Sequence, residues 1–237
     1  REVVLSGINL PSYGLDTGVS LVSLIEQAAT VPGIRHIRLG SLEPDLLSDE
    51  DMARLAKVEA LCPQFHLSLQ SGCTATLRRM RRTYTAEQYA DTVARLRAAF
   101  GEDRVSFTTD VIVGFPGETE EEFCESMAFV QRIGFLKAHV FPYSRRAGTP
   151  AADFPDQIPE EEKARRVHRM QTAADTARDA LVARMAGSRA EVLLETPLSS
   201  SLFTGYTKLY VPVVVSAPGH KSGEILPVTL GEFDGQR

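Results

Sequence analysis

The stretch Asp110-Val111-Ile112-Val113-Gly114-Phe115-Pro116-Gly117-Glu118-Thr119 decides the fold. Phe107, Thr108 and Thr109 lead into it, and together with Val111, Ile112 and Val113 they form a β-branched and aromatic run that predicts a largely buried strand. Gly114, Pro116 and Gly117 stop that strand in a turn. Thr119 with Glu122 then makes a T-x-x-E capping box that opens a helix. A strand that passes through a tight turn into a helix is the building unit of an α/β protein, and Gly114 and Gly117 let backbone approach whatever lies opposite, a bound molecule included. Taken alone, the same residues also describe a βα turn that holds no ligand.

Working outward, apolar β-prone runs recur at residues 3–5, 34–39, 65–69, 106–113 and 138–141, a spacing of roughly 30 to 40 residues that suits strand-helix units. Helical stripes fill the gaps: Leu21, Leu24, Ile25 and Ala28; then Met52, Leu55, Ala56 and Leu61, opened by Ser48 with Asp51; then Tyr89, Val93, Leu96 and Phe100, capped by Thr85 with Gln88; then Phe123, Met127, Val130 and Ile133. Each strand is covered by the helix that follows it, which suits a parallel barrel or an open parallel sheet, and a partial barrel is expected. A long Ala, Arg, Glu and Met-rich helix is expected over residues 159–186, ended by Gly187. Beyond it, β runs at 190–194, 208–215 and 225–230 are separated by Ser, Pro and Gly turns, the pattern of a small antiparallel barrel. These readings divide the chain into residues 1–186 and 187–237.

At 237 residues, 43% hydrophobic and 24% charged, the chain can bury one large core, or a medium core with a small appended domain. No apolar run approaches the roughly 20 residues that cross a bilayer, and a cytoplasmic protein with no membrane partner is expected. Cys62, Cys73 and Cys124 are odd in number and far apart, which writes neither a disulfide framework nor a C-x-x-C metal site. A net charge of −5 argues against a generally basic surface but leaves room for local basic patches. The first residues, Arg1-Glu2-Val3-Val4-Leu5, start inside a strand-like run without Met, so the chain reads as a piece of something longer.

In a parallel barrel the ligand-facing residues follow the strands. After the first run come Ser6, Gly7, Asn9 and Tyr13-Gly14; after the second, Ser41, Glu43 and Pro44; after the third, Ser68, Gln70, Ser71 and Gly72; after the fifth, Pro142, Tyr143, Ser144, Arg145 and Arg146. Any one of these clusters is ordinary loop chemistry, whereas five at one end of a barrel describe a site. His66 and His139 lie on strand runs, where hydrogen-bonded core histidines and ligand-facing ones read alike. Glu43 and Glu118 are either polar contacts or loop carboxylates.

Gln70-Ser71-Gly72, the stretch from Asp110 to Thr119, and His139-Val140-Phe141-Pro142-Tyr143-Ser144-Arg145-Arg146-Ala147-Gly148-Thr149 resemble the radical S-adenosylmethionine (SAM) methylthiotransferases. Arg38-Leu39-Gly40-Ser41-Leu42-Glu43-Pro44 and Met80-Arg81-Arg82-Thr83-Tyr84-Thr85 look like further parts of that family, on the branch that acts on N6-threonylcarbamoyladenosine in tRNA. The last 50 or so residues resemble a TRAM domain, a small RNA-binding β-barrel. The resemblance implies a partial radical-SAM-type (β/α) barrel and a TRAM-like barrel, with SAM and 4Fe-4S clusters as cofactors and tRNA as partner. It implies transfer of a methylthio group to C2 of a modified adenosine beside the anticodon. It places Ile112 and Gly114 against adenine, backbone near Phe141 and Tyr143 on its edge, Gln70 and Ser71 at ribose or methionine, Gly7 and Asn9 at the methionine amine, and Ser41 and Glu43 among the polar contacts. Asp110 stands where the family's motif carries glycine.

The family's C-x-x-x-C-x-x-C loop is not written in this chain, and Cys62, Cys73 and Cys124 lack its spacing, so the 4Fe-4S ligands are absent here and the chain by itself is expected to be inactive. RNA contacts are expected from Arg81, Arg82 and Arg145, which can meet phosphates, and from Tyr206 and Lys208, which can stack bases and hold backbone. Three alternatives stay open: a tRNA-binding module without chemistry, a ribosomal-protein methylthiotransferase relative, and a metal-independent α/β-barrel enzyme using Glu43, His66 or Glu118 as acid or base. Oligomeric state is unreadable.

Overall fold

Five short strands run in the same direction, each with one apolar face turned toward helices, in a computed structural model that describes residues 1–7, 10, 13, 14, 16, 18–44 and 47–235. They are β1 (Glu2–Leu5), β2 (His36–Leu39), β3 (Gln64–His66), β4 (Ser106–Val113) and β5 (Lys137–Pro142). β1 pairs with β2, and β3 with β4 and β4 with β5, all in parallel register. Parallel bridges Ile37 to Leu61 and Leu42 to Leu67 join the two groups into one curved surface, as a partial barrel requires. Phe65, Phe107, Val111 and Val113 face outward into a core shared with Leu55, Tyr89, Leu96, Phe123, Phe129 and Val130 of the helices. A strand buried on its helix-covered side has to be apolar at alternate positions, which is the pattern of Phe107, Thr109, Val111 and Val113.

The helices are α1 (Leu21–Ala29), α2 (Asp49–Leu55), α3 (Thr74–Arg79), α4 (Ala86–Phe100), α5 (Glu120–Ile133) and α6 (Glu160–Ala183). Ser48 with Asp51, Thr85 with Gln88 and Thr119 with Glu122 all form reciprocal capping boxes, as their spacing predicts. Leu61 is not on the second helix: α2 closes at Ala56, and Leu61 instead belongs to the segment that bridges Ile37 on the way into β3. The short helix α3, between the third strand and α4, carries no apolar stripe long enough to announce it. The long helix runs over 160–183, a turn shorter than expected.

The last part of the chain is a four-stranded antiparallel sheet in the order β8-β7-β6-β9: β6 (Arg189–Pro197), β7 (Leu202–Thr207), β8 (Pro212–Ser216) and β9 (Ile225–Thr229). The expected run at 208–215 splits, because Thr207 to Val211 is a tight turn with Tyr210 at φ 66°, and β7 precedes it as a strand of its own. That turn docks on the N-terminal ends of β2 and β4. Arg38 donates to the carbonyls of Thr207 (2.8 Å) and Lys208 (3.2 Å), Ser106 Oγ donates to Leu209 O (2.6 Å), and Lys208 Nζ donates to Glu59 O (2.9 Å). Among the described residues no helix is long and apolar enough to cross a membrane.

Candidate functional site at the strand ends

At the C-terminal end of the barrel, three loops are fastened to one another by hydrogen bonds that leave their positions little freedom. Residues 67–70 continue β3 as an irregular extension. Tyr84 Oη donates to Ser68 O (2.7 Å), Tyr89 Oη to Leu67 O (3.0 Å) and Thr109 Oγ1 to Leu67 O (2.6 Å), while Leu69 N–H donates to Thr109 Oγ1 (3.0 Å). Gln70 sits at φ 66°, a conformation that costs a residue with a side chain about 1 kcal/mol. It is held there from both sides: its N–H donates to Asp110 O (2.9 Å) and its carbonyl accepts from Ile112 N–H (2.8 Å). Ser71 is fully buried, with its hydroxyl accepting Cys73 N–H, so it shapes the loop from within. A Cβ on Gly72 would lie 2.5 Å from Phe129 Cβ, which is why the loop can rest directly on α5.

The second loop is the quoted motif itself. Gly114 has φ 71° and donates its N–H to Glu118 Oε2 (2.6 Å). The space a side chain at Gly114 would need is filled by the stem of Lys163 from α6, and the space at Gly117 is faced by Arg79 from α3. At Gly114 the room a ligand's close approach would use is taken by Lys163, while at Gly117 a Cβ would make only ordinary contact with Arg79, at 3.7 Å. Glu118, 2% exposed, also accepts Arg166 Nη1 (2.8 Å), and the same nitrogen donates to Glu118 O (2.9 Å). Burial pushes the Glu118 carboxyl above its ordinary range, against the pull of the Gly114 amide and of Arg166. Glu118 is therefore a loop carboxylate that ties the motif to α6. Glu122, paired with Arg79 of α3, is held below the usual carboxylate range by that pairing.

The third loop follows β5. Tyr143 N–H donates to Val113 O (2.8 Å) and its carbonyl accepts Lys163 Nζ (3.0 Å), so the backbone groups of Tyr143 are engaged within the protein. Its ring packs edge-on against Phe115 at 5.2 Å. Phe141, 49% exposed, stands opposite half-buried Ile112 in the strand register, giving an apolar patch at the strand ends. Gly7, Ser41 and Glu43 are exposed at the same end of β1 and β2, where Gly40 N–H donates to Leu5 O (2.8 Å) and Leu42 bridges Leu67. Asn9 lies outside the described residues.

The structure thus brings Gln70, Ile112, Gly114, Phe141 and Tyr143 to one place. Of the expected RNA contacts, Arg81 and Arg145 are exposed and Arg82 half-exposed. Lys208 and Tyr206, the other expected RNA contacts, have partners within the protein. The Lys208 ammonium is given to Glu59 O and to Glu191 (3.3 Å), and Tyr206 stacks on Tyr210 at 4.6 Å, beneath the guanidinium of Arg38. The 207–210 turn folds them into the junction between the two sheets. Lys163 and Arg166, which position the motif, were missed because both sit in a stretch of nearly continuous charge; the one signal was their three-residue spacing toward Met170, Ala173 and Ala174, all buried.

The three cysteines do not converge. Cys62 is buried at the foot of β3, where burial pushes its thiol up to about 11; Cys73 begins α3 with its Sγ 3.2 Å from Glu125; Cys124 lies on α5 beside Glu120 and Arg169. Among the described residues the grouping able to offer three metal-ligating atoms is Glu2, His36 and Cys62. Glu2 and His36 there are already paired with each other, and Glu2 with Arg38 (3.1 Å).

Residues 1–130 match the model of the radical SAM superfamily. The chain is 36% identical to the threonylcarbamoyladenosine tRNA methylthiotransferase MtaB of Bacillus subtilis over 97% of its own length and 52% of that protein's. It is 39% identical to the tRNA-2-methylthio-N(6)-dimethylallyladenosine synthase of Lachnoclostridium phytofermentans, over 99% and 52%. It therefore spans about half the length of the curated relatives it matches. Among solved structures, coproporphyrinogen III oxidase (HemN) of Escherichia coli, a radical SAM enzyme, shares the fold with a TM-score of 0.57 over 74% of this chain and 40% of that one, at 15% identity. With more than half of its residues matched by the superfamily model, this chain belongs to the radical SAM superfamily.

Proposed function

We propose that the chain is the cofactor-binding barrel and RNA-contacting part of a cytoplasmic tRNA methylthiotransferase that modifies C2 of an N6-substituted adenosine beside the anticodon. Residues 1–186 form the barrel, and residues 187–237 a TRAM-like unit. The reading rests on the apolar patch and polar groups at the strand ends. Ile112 and Phe141 offer apolar surface to an adenine, Gln70 presents its amide from a backbone conformation that the fold maintains at a cost, and Gly7, Ser41 and Glu43 supply polar groups on the rim for the methionine part of SAM. Gly114, Ser71 and Tyr143 act here by holding the loops. SAM and a 4Fe-4S cluster supply the radical and sulfur chemistry of such enzymes. Cys62, Cys73 and Cys124 do not fit a cluster, and no step is assigned to one held by them.

Arg81, Arg82 and Arg145 meet RNA phosphates in this reading, while Lys208, through Glu59 O, ties the TRAM-like unit to the barrel and Tyr206 stacks on Tyr210. Titration calorimetry with SAM tests the cradle. The chain is expected to bind one SAM, and Ile112→Asp, which sets a charge against the adenine, to weaken binding at least about tenfold. Undetectable binding, or binding indifferent to Ile112→Asp, overturns it.

A further inference from the structure

The foot of the barrel, at the opposite end from the SAM cradle, gathers a second set of polar groups. Parallel pairing sets Glu2 of β1 opposite His36 of β2, and the bridge from Ile37 to Leu61, with Cys62 N–H donating to Ile37 O (2.9 Å), brings Cys62 beside them. The three residues offer a carboxylate oxygen, an imidazole nitrogen and a sulfur that all lie within 4.8 Å of one another. His36 and Cys62 are fully buried, whereas the Glu2 side chain keeps 14% of its surface in solvent. Arg38, two residues beyond His36 on the same face, donates to Glu2 Oε1 (3.1 Å), which leaves Oε2 turned toward His36 Nδ1 at 3.2 Å. Glu191 of β6 closes the group from the antiparallel sheet, with its Oε2 3.5 Å from His36 Nε2.

An imidazole between two carboxylates meets a conflict that its neutral form cannot resolve. With the single proton on Nδ1, Nε2 turns a bare lone pair to Glu191; with the proton on Nε2, the lone pair faces Glu2. Nε2 is buried and, among the described residues, has no hydrogen-bond partner. Either a second proton or a metal ion removes the conflict, and two observations favour the ion. The 3.2 Å between Nδ1 and Glu2 Oε2 is long for a charge-assisted hydrogen bond, which runs about 2.7 to 2.9 Å, and close to the roughly 3.3 Å that separates two ligands each about 2.0 Å from a tetrahedral ion. Cys62 adds a soft sulfur donor, for which a doubly protonated ring has no use.

We infer that Glu2, His36 and Cys62 bind one zinc ion through a carboxylate oxygen, Nδ1 and a thiolate, with the fourth position left to water on the Glu2 side. A mixed sulfur, nitrogen and oxygen set is the donor chemistry of zinc. With the ion on Nδ1 the ring proton sits on Nε2 toward Glu191, and Arg38 steadies the far oxygen of Glu2, the outer contacts by which metal ligands are oriented. Binding releases two protons to solvent, one from the Cys62 thiol and one from the doubly protonated ring, so a dipositive ion leaves the net charge of the junction unchanged. The cations that face the group, Arg35, Arg38 and Lys208, are each held by a carboxylate or by backbone carbonyls. The ion ties β1, β2 and the entry to β3 together and, through His36 and Glu191, sets the antiparallel sheet on the barrel. It takes no part in the chemistry at the strand ends.

The test is titration of the full, metal-free and thiol-reduced chain with Co2+, whose thiolate complexes absorb by sulfur-to-metal charge transfer. One equivalent is expected to develop that absorption, and zinc to displace the cobalt. Cys62→Ser should abolish the absorption. Glu191→Gln should weaken cobalt binding by about tenfold, as loss of an outer partner does, and Glu2→Gln, at the one ligand that reaches solvent, should weaken it further, both with the absorption retained. Because a change at buried Cys62 can unfold the foot, the double variant Cys73→Ser/Cys124→Ser assigns the thiolate independently and should keep the full absorption. No charge-transfer absorption in the parent overturns the inference. So does absorption that survives Cys62→Ser or is lost from the folded double variant, and so does an affinity unmoved by Glu2→Gln.

Discussion

At the scale of single residues, the quoted motif works by what its side chains leave out or hold in place. Gly114 is needed twice over, because its φ of 71° disfavours any Cβ and because Lys163 occupies the room a Cβ would take. Gly114→Ala is expected to lower unfolding free energy by about 2 to 3 kcal/mol in urea titration. Adding Lys163→Ala should recover the part due to the collision and leave about 1 kcal/mol of backbone cost. The Arg79–Glu122 pair gives a pH dependence with a defined sign. The folded-state pKa of Glu122 is depressed, so its contribution is fully present above the ordinary value of 4.5 and is lost as pH falls through the lower, folded value. Arg79→Met should therefore be less stable than the parent above pH 4.5, by about 1 kcal/mol for a partly exposed pair, and converge with it in acid. A constant difference at all pH values would contradict the pairing.

At the scale of elements, the lesson concerns which parts of the chain announce themselves. β4 and its turn were legible because alternation, Gly/Pro punctuation and a capping box agree at one place, and the capping boxes at Ser48, Thr85 and Thr119 all formed. β7 was illegible: Leu202-Phe203-Thr204-Gly205-Tyr206-Thr207 follows three serines and contains a glycine that a sequence reading takes for a break. In the fold Gly205 is required, since a Cβ there would collide with the carbonyl of Leu193 across the strand pair. Gly114 was legible as a turn glycine but not as to what fills the space beside it, because Lys163 arrives from a distant helix. What the sequence did not show is that the Lys208 ammonium is drawn to Glu59 O and Glu191, and that Tyr206 stacks on Tyr210, over which Arg38 lies. That contact is testable: Arg38 makes two hydrogen bonds to the 207–210 turn and lies over Tyr210 at 5.1 Å, so Arg38→Ala should cost about 2 to 4 kcal/mol. Hydrogen exchange should speed up in β7 and β8 ahead of β4.

For the whole molecule, the two sheets divide the inner face of the barrel between them. The antiparallel sheet seals the foot, where Glu2, His36, Arg38 and Ser106 would otherwise meet water, and leaves the strand ends open. RNA that brings an adenosine to the open end would lie across Arg81, Arg82 and Arg145. Replacing each by Ala should weaken RNA binding irrespective of loop modification and lower the slope of log affinity against log salt by about 0.7 to 1 apiece.

Amide hydrogen exchange with and without saturating SAM tests the strand-end cradle most directly. Slowed exchange confined to residues 69–72, 110–114 and 140–143 is the result this account requires. Protection that maps instead to the groove lined by Leu181, Met185 and Ala190, or no protection in any of the three loops, would contradict it.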